Sequence, residues 1–209
     1  MNKRQVIVIT DGDQVAKKVV EDVASRIGGR CISASAGNPT PLTGPQLVDL
    51  IREAPHDPVL VMFDDCGASI KGRGEQALEY VLSHPDIHVL GAVAVASNIS
   101  DVTGIAADVV LNYEGRMVNR SVDKHGKEMP GSSMRIYGDT VDVLNRYPLP
   151  LVVGIGDVGK MRHGDNHLLG SPVSTMAVKL ILDKNGYDTS ALELDDNSPQ
   201  LSLGKNEGV

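Results

Sequence analysis

Residues 6–13 read V-I-V-I-T-D-G-D. Four β-branched apolar residues with nothing polar between them fit a strand buried on both faces, as in a parallel sheet covered by helices. The run then ends in two carboxylates, Asp11 and Asp13, separated only by Gly12. A buried strand that discharges two like charges at one end marks either a site for metal or phosphate chemistry or a polar strand-to-helix turn.

Outward from this stretch, apolar runs alternate with helical spacing. Val19, Val23 and Ile27, with Val20 and Ala24, recur every three or four residues, and Gly28-Gly29 ends that helix. Residues 30–35 (R-C-I-S-A-S) read as a weaker strand. Leu47, Leu50, Ile51 and Ala54 mark a second helix, opened around Thr43 and Pro45 and stopped before Pro55. Residues 58–63 (P-V-L-V-M-F) form the next strand, and Leu78, Val81 and Leu82 a third helix. Residues 88–96, 108–112 and 150–155 read as further strands, residues 139–146 as a helix. A last long helix runs from near Pro172 to Asn185-Gly186.

This alternation predicts an α/β fold: a doubly wound, mostly parallel sheet with helices on both faces, flavodoxin-like or Toprim-like. Residues 113–137 break the pattern. They are polar, turn at Asp123-Lys124-His125-Gly126, and predict a small hairpin excursion. Residues 1–190 read as a single domain, and 191–209 as a disordered acidic tail with four carboxylates against one lysine.

Composition narrows the function classes. The chain has 209 residues, 41% hydrophobic and 22% charged, with a net charge of −7. There is no basic stripe, no Trp and one Phe, so neither a phosphate-tracking groove nor a base-stacking platform is expected, and nucleic acid is not an expected partner. No apolar run approaches the ~18 residues of a membrane-crossing helix. The N-terminus, with a short apolar part followed at once by carboxylates, lacks the form of a secretory signal. Cys31 and Cys66 form no CxxC pair and read as reduced thiols.

In an open parallel sheet, ligands sit beyond the carboxyl ends of the strands. Asp11 and Asp13 follow the first strand, and Asp64 and Asp65 the third. In a 2-1-3-4-5 order those strands are neighbours, and the four carboxylates converge as a site for Mg²⁺ or Ca²⁺. The plainer alternative has Asp13 capping a helix and Asp11 or Asp64 meeting local amides. Residues 67–75, G-A-S-I-K-G-R-G-E, lie between a strand and a helix, the context of an anion cradle, with Gly67, Lys71, Gly72, Arg73 and Gly74 as candidate ligand-binding residues. Arg73 and Gly74 stand where a P-loop needs Lys and Ser or Thr, which excludes that motif. Residues 154–159, G-I-G-D-V-G, match G-x-G-x-x-G, but no helix opens there. His163 and His167 flank Asp165 in a loop and read as surface histidines.

Asp11-Gly12-Asp13 resembles the DxD signature of Toprim domains, which also carry a glutamate after an earlier strand; here no strand precedes. A wider resemblance joins V-I-V-I-T-D-G-D-Q-V-A, F-D-D-C-G-A-S-I-K-G-R-G-E-Q-A-L, G-I-G-D-V-G-K-M and G-S-P-V-S-T-M-A-V-K-L-I-L. In order and spacing these pieces, over roughly residues 5–190, resemble the soluble stage V sporulation protein AE family (the AEa type) of spore-forming Bacillales. The resemblance implies a role in spore germination. It implies a soluble chain peripheral to the spore inner membrane, beside sibling stage V protein A subunits that move Ca²⁺-dipicolinate, notably the AD subunit. It supplies no catalytic residues. Two expectations follow: an interaction module of that membrane system, or a divalent-metal-dependent nucleotide- or phosphoryl-binding enzyme built on the Asp cluster. A third joins the two: Ca²⁺ or its dipicolinate chelate binds at the acidic end, with Lys71 and Arg73 meeting the ligand's carboxylates, which makes the protein a sensor.

Overall fold

A computed structural model describes residues 3–66, 71–98, 102–131, 133–190 and 192. Of the tail at 191–209, expected to be disordered, Leu192 is described, its amide donating to the Thr189 carbonyl at 3.0 Å, and the rest lies outside the described residues. The strands are β1 (Arg4–Ile9), β2 (Arg30–Cys31), β3 (Val59–Met62), β4 (Ile87–Val95), β5 (Ile105–Ala106), β6 (Val109–Leu111), β7 (Met117–Val118), β8 (Arg135–Ile136) and β9 (Val152–Ile155). The helices are α1 (Gln14–Arg26), α2 (Gly44–Glu53), α3 (Arg73–Ser83), α4 (Val141–Leu144) and α5 (Pro172–Lys184).

Seven strands form one sheet in the order β2-β3-β1-β4-β9-β6-β7. Every pairing in it is parallel except β6 with β7. The continuous apolar run of β1 is explained by its place in the middle. Val6 and Val8 pack into the layer of α2, α3 and α4, whereas Ile7 and Ile9 pack into the layer of α1 and α5. Each such side chain contributes about 1.5–3 kcal/mol by leaving water, so a polar substitution on either face of β1 is costly.

The strand order differs from the expected 2-1-3-4-5, because β3 inserts between β2 and β1. The adjacency that mattered survives: β1 pairs with β3, and β4 takes the place expected for β2 on its other side. α1 and α3, which follow the neighbouring strands β1 and β3, cover opposite faces. A crevice therefore opens at the carboxyl end between them.

Several elements are shorter than their patterns suggest. β2 stops at Cys31, and residues Ser33–Ser35 form a 3₁₀ turn. There the Ser35 hydroxyl accepts from the Met62 amide (3.0 Å) and donates to the Ile32 carbonyl (2.7 Å), replacing ladder bonds with side-chain ones. The 139–146 helix is a single turn at α4. The 113–137 excursion holds β7, which extends the sheet edge, a bridge between Val122 and Glu128, and β8. β8 pairs antiparallel with β5 in a separate two-stranded sheet.

The tip of this excursion is docked on the main sheet. The Asp157 amide donates to the Lys124 carbonyl at 2.7 Å. Gly156 makes this approach possible, since a Cβ there would lie 2.5 Å from the Gly126 nitrogen.

Candidate functional site

At the carboxyl end of β1, β3, β4 and β9 lies an open cleft of about 500 Å³. Among the described residues, its lining carries five carboxylates (Asp11, Asp13, Asp64, Asp139 and Asp157) and two ammonium groups, Lys124 and Lys160. Thr10, Asn38, Cys66 and Ser97 add polar atoms.

Asp11 and Asp13 leave the end of β1 in different roles. Asp13 caps α1, its Oδ1 accepting from the Val15 (2.8 Å) and Ala16 (2.9 Å) amides. Its Oδ2 meets the Lys160 ammonium at 2.6 Å. Burial works against this charge, but Lys160 and the helix amides outweigh it and lower the pKa. Asp11 is buried and accepts from the Val158 (3.1 Å) and Asp13 (3.3 Å) amides. Burial first, then the Asp157 and Asp13 carboxylates, push its pKa well above the ordinary carboxylate range.

Lys160 joins the two sides of the cleft. Its ammonium contacts both oxygens of Asp157, at 3.0 and 2.9 Å, besides Asp13. Burial opposes the charged lysine, yet these two partners raise its pKa above that of a free lysine. Asp11, Asp13 and Asp157 each offer an oxygen within 4.8 Å of the others, a spacing a divalent ion can bridge. The protein's own ammonium now binds two of the three, so an ion would have to displace Lys160.

Across the cleft stands a second carboxylate pair. Asp64 is 8% exposed and accepts from the amides of Cys66 (3.0 Å) and Gly12. Burial, and then Asp139, hold its pKa at about 6. Asp139 accepts from the Asp65 (3.2 Å) and Thr140 (3.0 Å) amides. Below about pH 6 a proton on Asp64 lets the two side chains hydrogen-bond to one another, which adds to the rise.

Asp65 is turned away from the cleft. Its oxygens accept from the Gly74 (2.6 Å) and Glu75 (2.7 Å) amides at the start of α3. The amides of Gly74 and Glu75, which an anion cradle would offer, are thus already taken by the chain's own carboxylate. Lys71 pairs with Glu79, and Arg73 donates to the Pro41 carbonyl at 3.0 Å. Gly67 lies outside the described residues. The structure therefore brings together Asp11, Asp13 and Asp64, and leaves Asp65, Lys71 and Arg73 outside.

Sequence reasoning did not place Asp139, Asp157, Lys160 or Lys124 in this site. Only Asp157-x-x-Lys160, at one-turn spacing after a glycine-rich strand end, offered a signal. Asp165 stands between His163 and His167 in the sequence but has a structural role. It is fully buried and binds the Gly159 amide, the Ser174 amide and the Ser174 hydroxyl at 2.8, 2.8 and 2.6 Å, locking the 156–171 loop onto α5. His163 and His167 are exposed.

The family model described as stage V sporulation protein AE1 matches residues 5–185. No curated protein and no solved structure matches the chain. The family match takes in all seven strands of the sheet except Arg4 at the start of β1, α1 to α5 and every described carboxylate of the cleft, so the chain belongs to the stage V sporulation protein AE family.

Proposed function

We propose that this protein acts in spore germination as a membrane-peripheral component of the stage V sporulation protein A system. It contributes to the release of Ca²⁺-dipicolinate through contacts with sibling subunits, the AD subunit among them. The family match carries this reading. It is supported by the fact that no described helix is long and apolar enough to cross a membrane, which suits a chain working beside a pore built by others. The 113–137 excursion, with the exposed Arg116 and Lys127, and the neighbouring loops bearing Asp11, Asp65 and Gly72 form the contact surface in this reading. The test is charge reversal by R116E with K127E in sporulating cells. Membrane-fraction content and dipicolinate release should both fall while the purified variant melts as the parent does. Unchanged membrane content would remove the excursion from the interface.

One observation favours a second reading, that the cleft senses Ca²⁺ or its dipicolinate chelate. The converging oxygens of Asp11, Asp13 and Asp157 supply the cation side. Lys124 and Lys160, rather than Lys71 and Arg73, are the cations placed to meet dipicolinate carboxylates. Dipicolinate should then bind only when Ca²⁺ is present; equal weak binding of either alone would count against it.

A further inference from the structure

The loop between β9 and α5 carries an exposed apolar pair that the cleft does not use. Leu168 is 80% exposed and Leu169 61%, in a 3₁₀ turn at His167–Leu169. They are the two most exposed large hydrophobic side chains among the described residues. Around them the outward-facing side chains are Arg162, His163 and His167. From Val158 to Leu182 the sequence holds a single carboxylate, Asp165, and that one is turned inward and fully buried. A chain of net charge −7 thus presents, at this one loop, a surface of leucine and base with no exposed acid.

The presentation is built into the fold. Met161, Arg162 and His163 all hold positive φ, at 29°, 57° and 70°, a conformation that persists only when its surroundings impose it. Met161 is buried beneath the loop, and Asp165 ties it to α5. The Arg162 guanidinium lies 5.1 Å from the centre of the Tyr113 ring. Arg26 of α1 borders Gly170 on the other side and is paired with Asp22 at 3.0 Å.

We propose that the loop 161–169 is a docking point for an anionic lipid bilayer. Leu168 and Leu169 enter the boundary between headgroups and acyl chains, and Arg162, His163 and His167 face the lipid phosphates. Two projecting leucines cover far less than the roughly 800 Å² per partner that a specific protein interface needs. A bilayer demands no shape complementarity, and its negative surface complements the local charge while tolerating the rest of the chain at a distance beyond a Debye length. The inference rests on the membrane-peripheral reading and names the surface that would touch lipid.

The test is co-sedimentation of the purified full chain with vesicles of phosphatidylglycerol and phosphatidylcholine, and with phosphatidylcholine alone. The chain should bind the anionic vesicles and be released by salt. L168S/L169S should weaken that binding roughly tenfold or more, and R162E should weaken it while the chain keeps its circular dichroism spectrum. Both leucines are exposed, so the double variant should keep its circular dichroism spectrum. No preference for anionic vesicles, or equal binding by L168S/L169S, would overturn the proposal. So would a change of oligomeric state in that variant by sedimentation velocity, which would make the pair a contact between copies. In spores, a double variant that still fractionates with the inner membrane would sink the loop assignment and leave the peripheral reading standing. A parent chain absent from that fraction would sink both.

Discussion

Replacing Asp64 by asparagine should stabilise this protein at neutral pH and leave it nearly unchanged in acid. The Asp64 carboxyl titrates at about 6 in the fold against an ordinary 3.8, because burial and then Asp139 disfavour its charge. Between those two values the folded state holds a proton that the unfolded chain has released, so stability falls as pH rises through this window. The penalty is absent below 3.8 and complete above about 6. Each pH unit between them is worth about 1.4 kcal/mol, which makes the whole about 3 kcal/mol. Relaxation of the cleft and water entry should leave about 2 kcal/mol of it. Asparagine keeps an oxygen to accept from the Cys66 and Gly12 amides and places an N–H donor where Asp139 needs one. D64N should therefore melt about 4–8 °C above the parent at pH 7.5, with the two curves converging towards pH 4. D139N should relieve the same pair, and the double variant should gain less than the sum of the two. Thermal unfolding followed by circular dichroism across that range is enough. A D64N protein that is equally or less stable at pH 7.5, with no pH-dependent difference, would refute a shared proton at this pair.

Three further outcomes are expected. D65A removes the acceptor of two amides at the start of α3 and should cost about 1–2 kcal/mol in urea unfolding. That loss should be the same with and without Ca²⁺, since Asp65 does not line the cleft. G74A should destabilise by about 1–3 kcal/mol, although helix propensity alone favours alanine by about 1 kcal/mol; the added Cβ would lie 2.3 Å from the Asp64 carbonyl oxygen. A G74A protein as stable as the parent would mean that α3 and the end of β3 can part freely. K160M should cost about 1 kcal/mol or less, because the ammonium is partly solvated. It should also tighten Ca²⁺ binding measured by calorimetry, since the competitor for Asp13 and Asp157 is gone. Weaker Ca²⁺ binding in K160M would show that the lysine is not that competitor.

The elements that could be read in the sequence are those whose patterns are local. The V-I-V-I run, the Val19–Val23 spacing with the Gly28-Gly29 stop, and the Pro172 helix start each carry their periodicity within a dozen residues, and each appears where expected. The insertion of β3 between β2 and β1 is a long-range pairing with no local signature. β2 falls short because Ser35 competes for the Met62 amide, an exchange that neither periodicity nor propensity encodes. The same division runs through the site. Asp11 and Asp13 advertise themselves at a strand end, whereas Lys160 lies 147 residues from Asp13 and Asp139 74 from Asp65. Only the strand order brings them together.

The four carboxylates that end β1 and β3 look alike in sequence, and the fold splits each pair in the same way. One member caps the helix that follows: Asp13 for α1 and Asp65 for α3. Helix amides favour both capping charges; with Lys160 they lower the pKa of Asp13, whereas burial still holds that of Asp65 above the ordinary value. The other member, Asp11 or Asp64, is left at the mouth of the crevice, buried, with its pKa raised. Each raised carboxyl is then set beside a further acid delivered from the far end of the chain, Asp157 for Asp11 and Asp139 for Asp64. Stability alone would have filled these positions with neutral groups, since burying like charges costs more than it returns. A cleft built this way holds negative charge poorly by itself and gains from whatever brings positive charge into it. Lys160 is the internal answer on one side and, below about pH 6, a proton the answer on the other. A ligand that binds here must therefore supply a cation, and on entry should release either the lysine or the proton. Proton release on Ca²⁺ addition at about pH 5, where Asp64 is protonated, followed by buffer-dependent heats in calorimetry, would register that exchange directly. Heats that do not change with buffer would mean that any ion which binds leaves the Asp64–Asp139 proton in place.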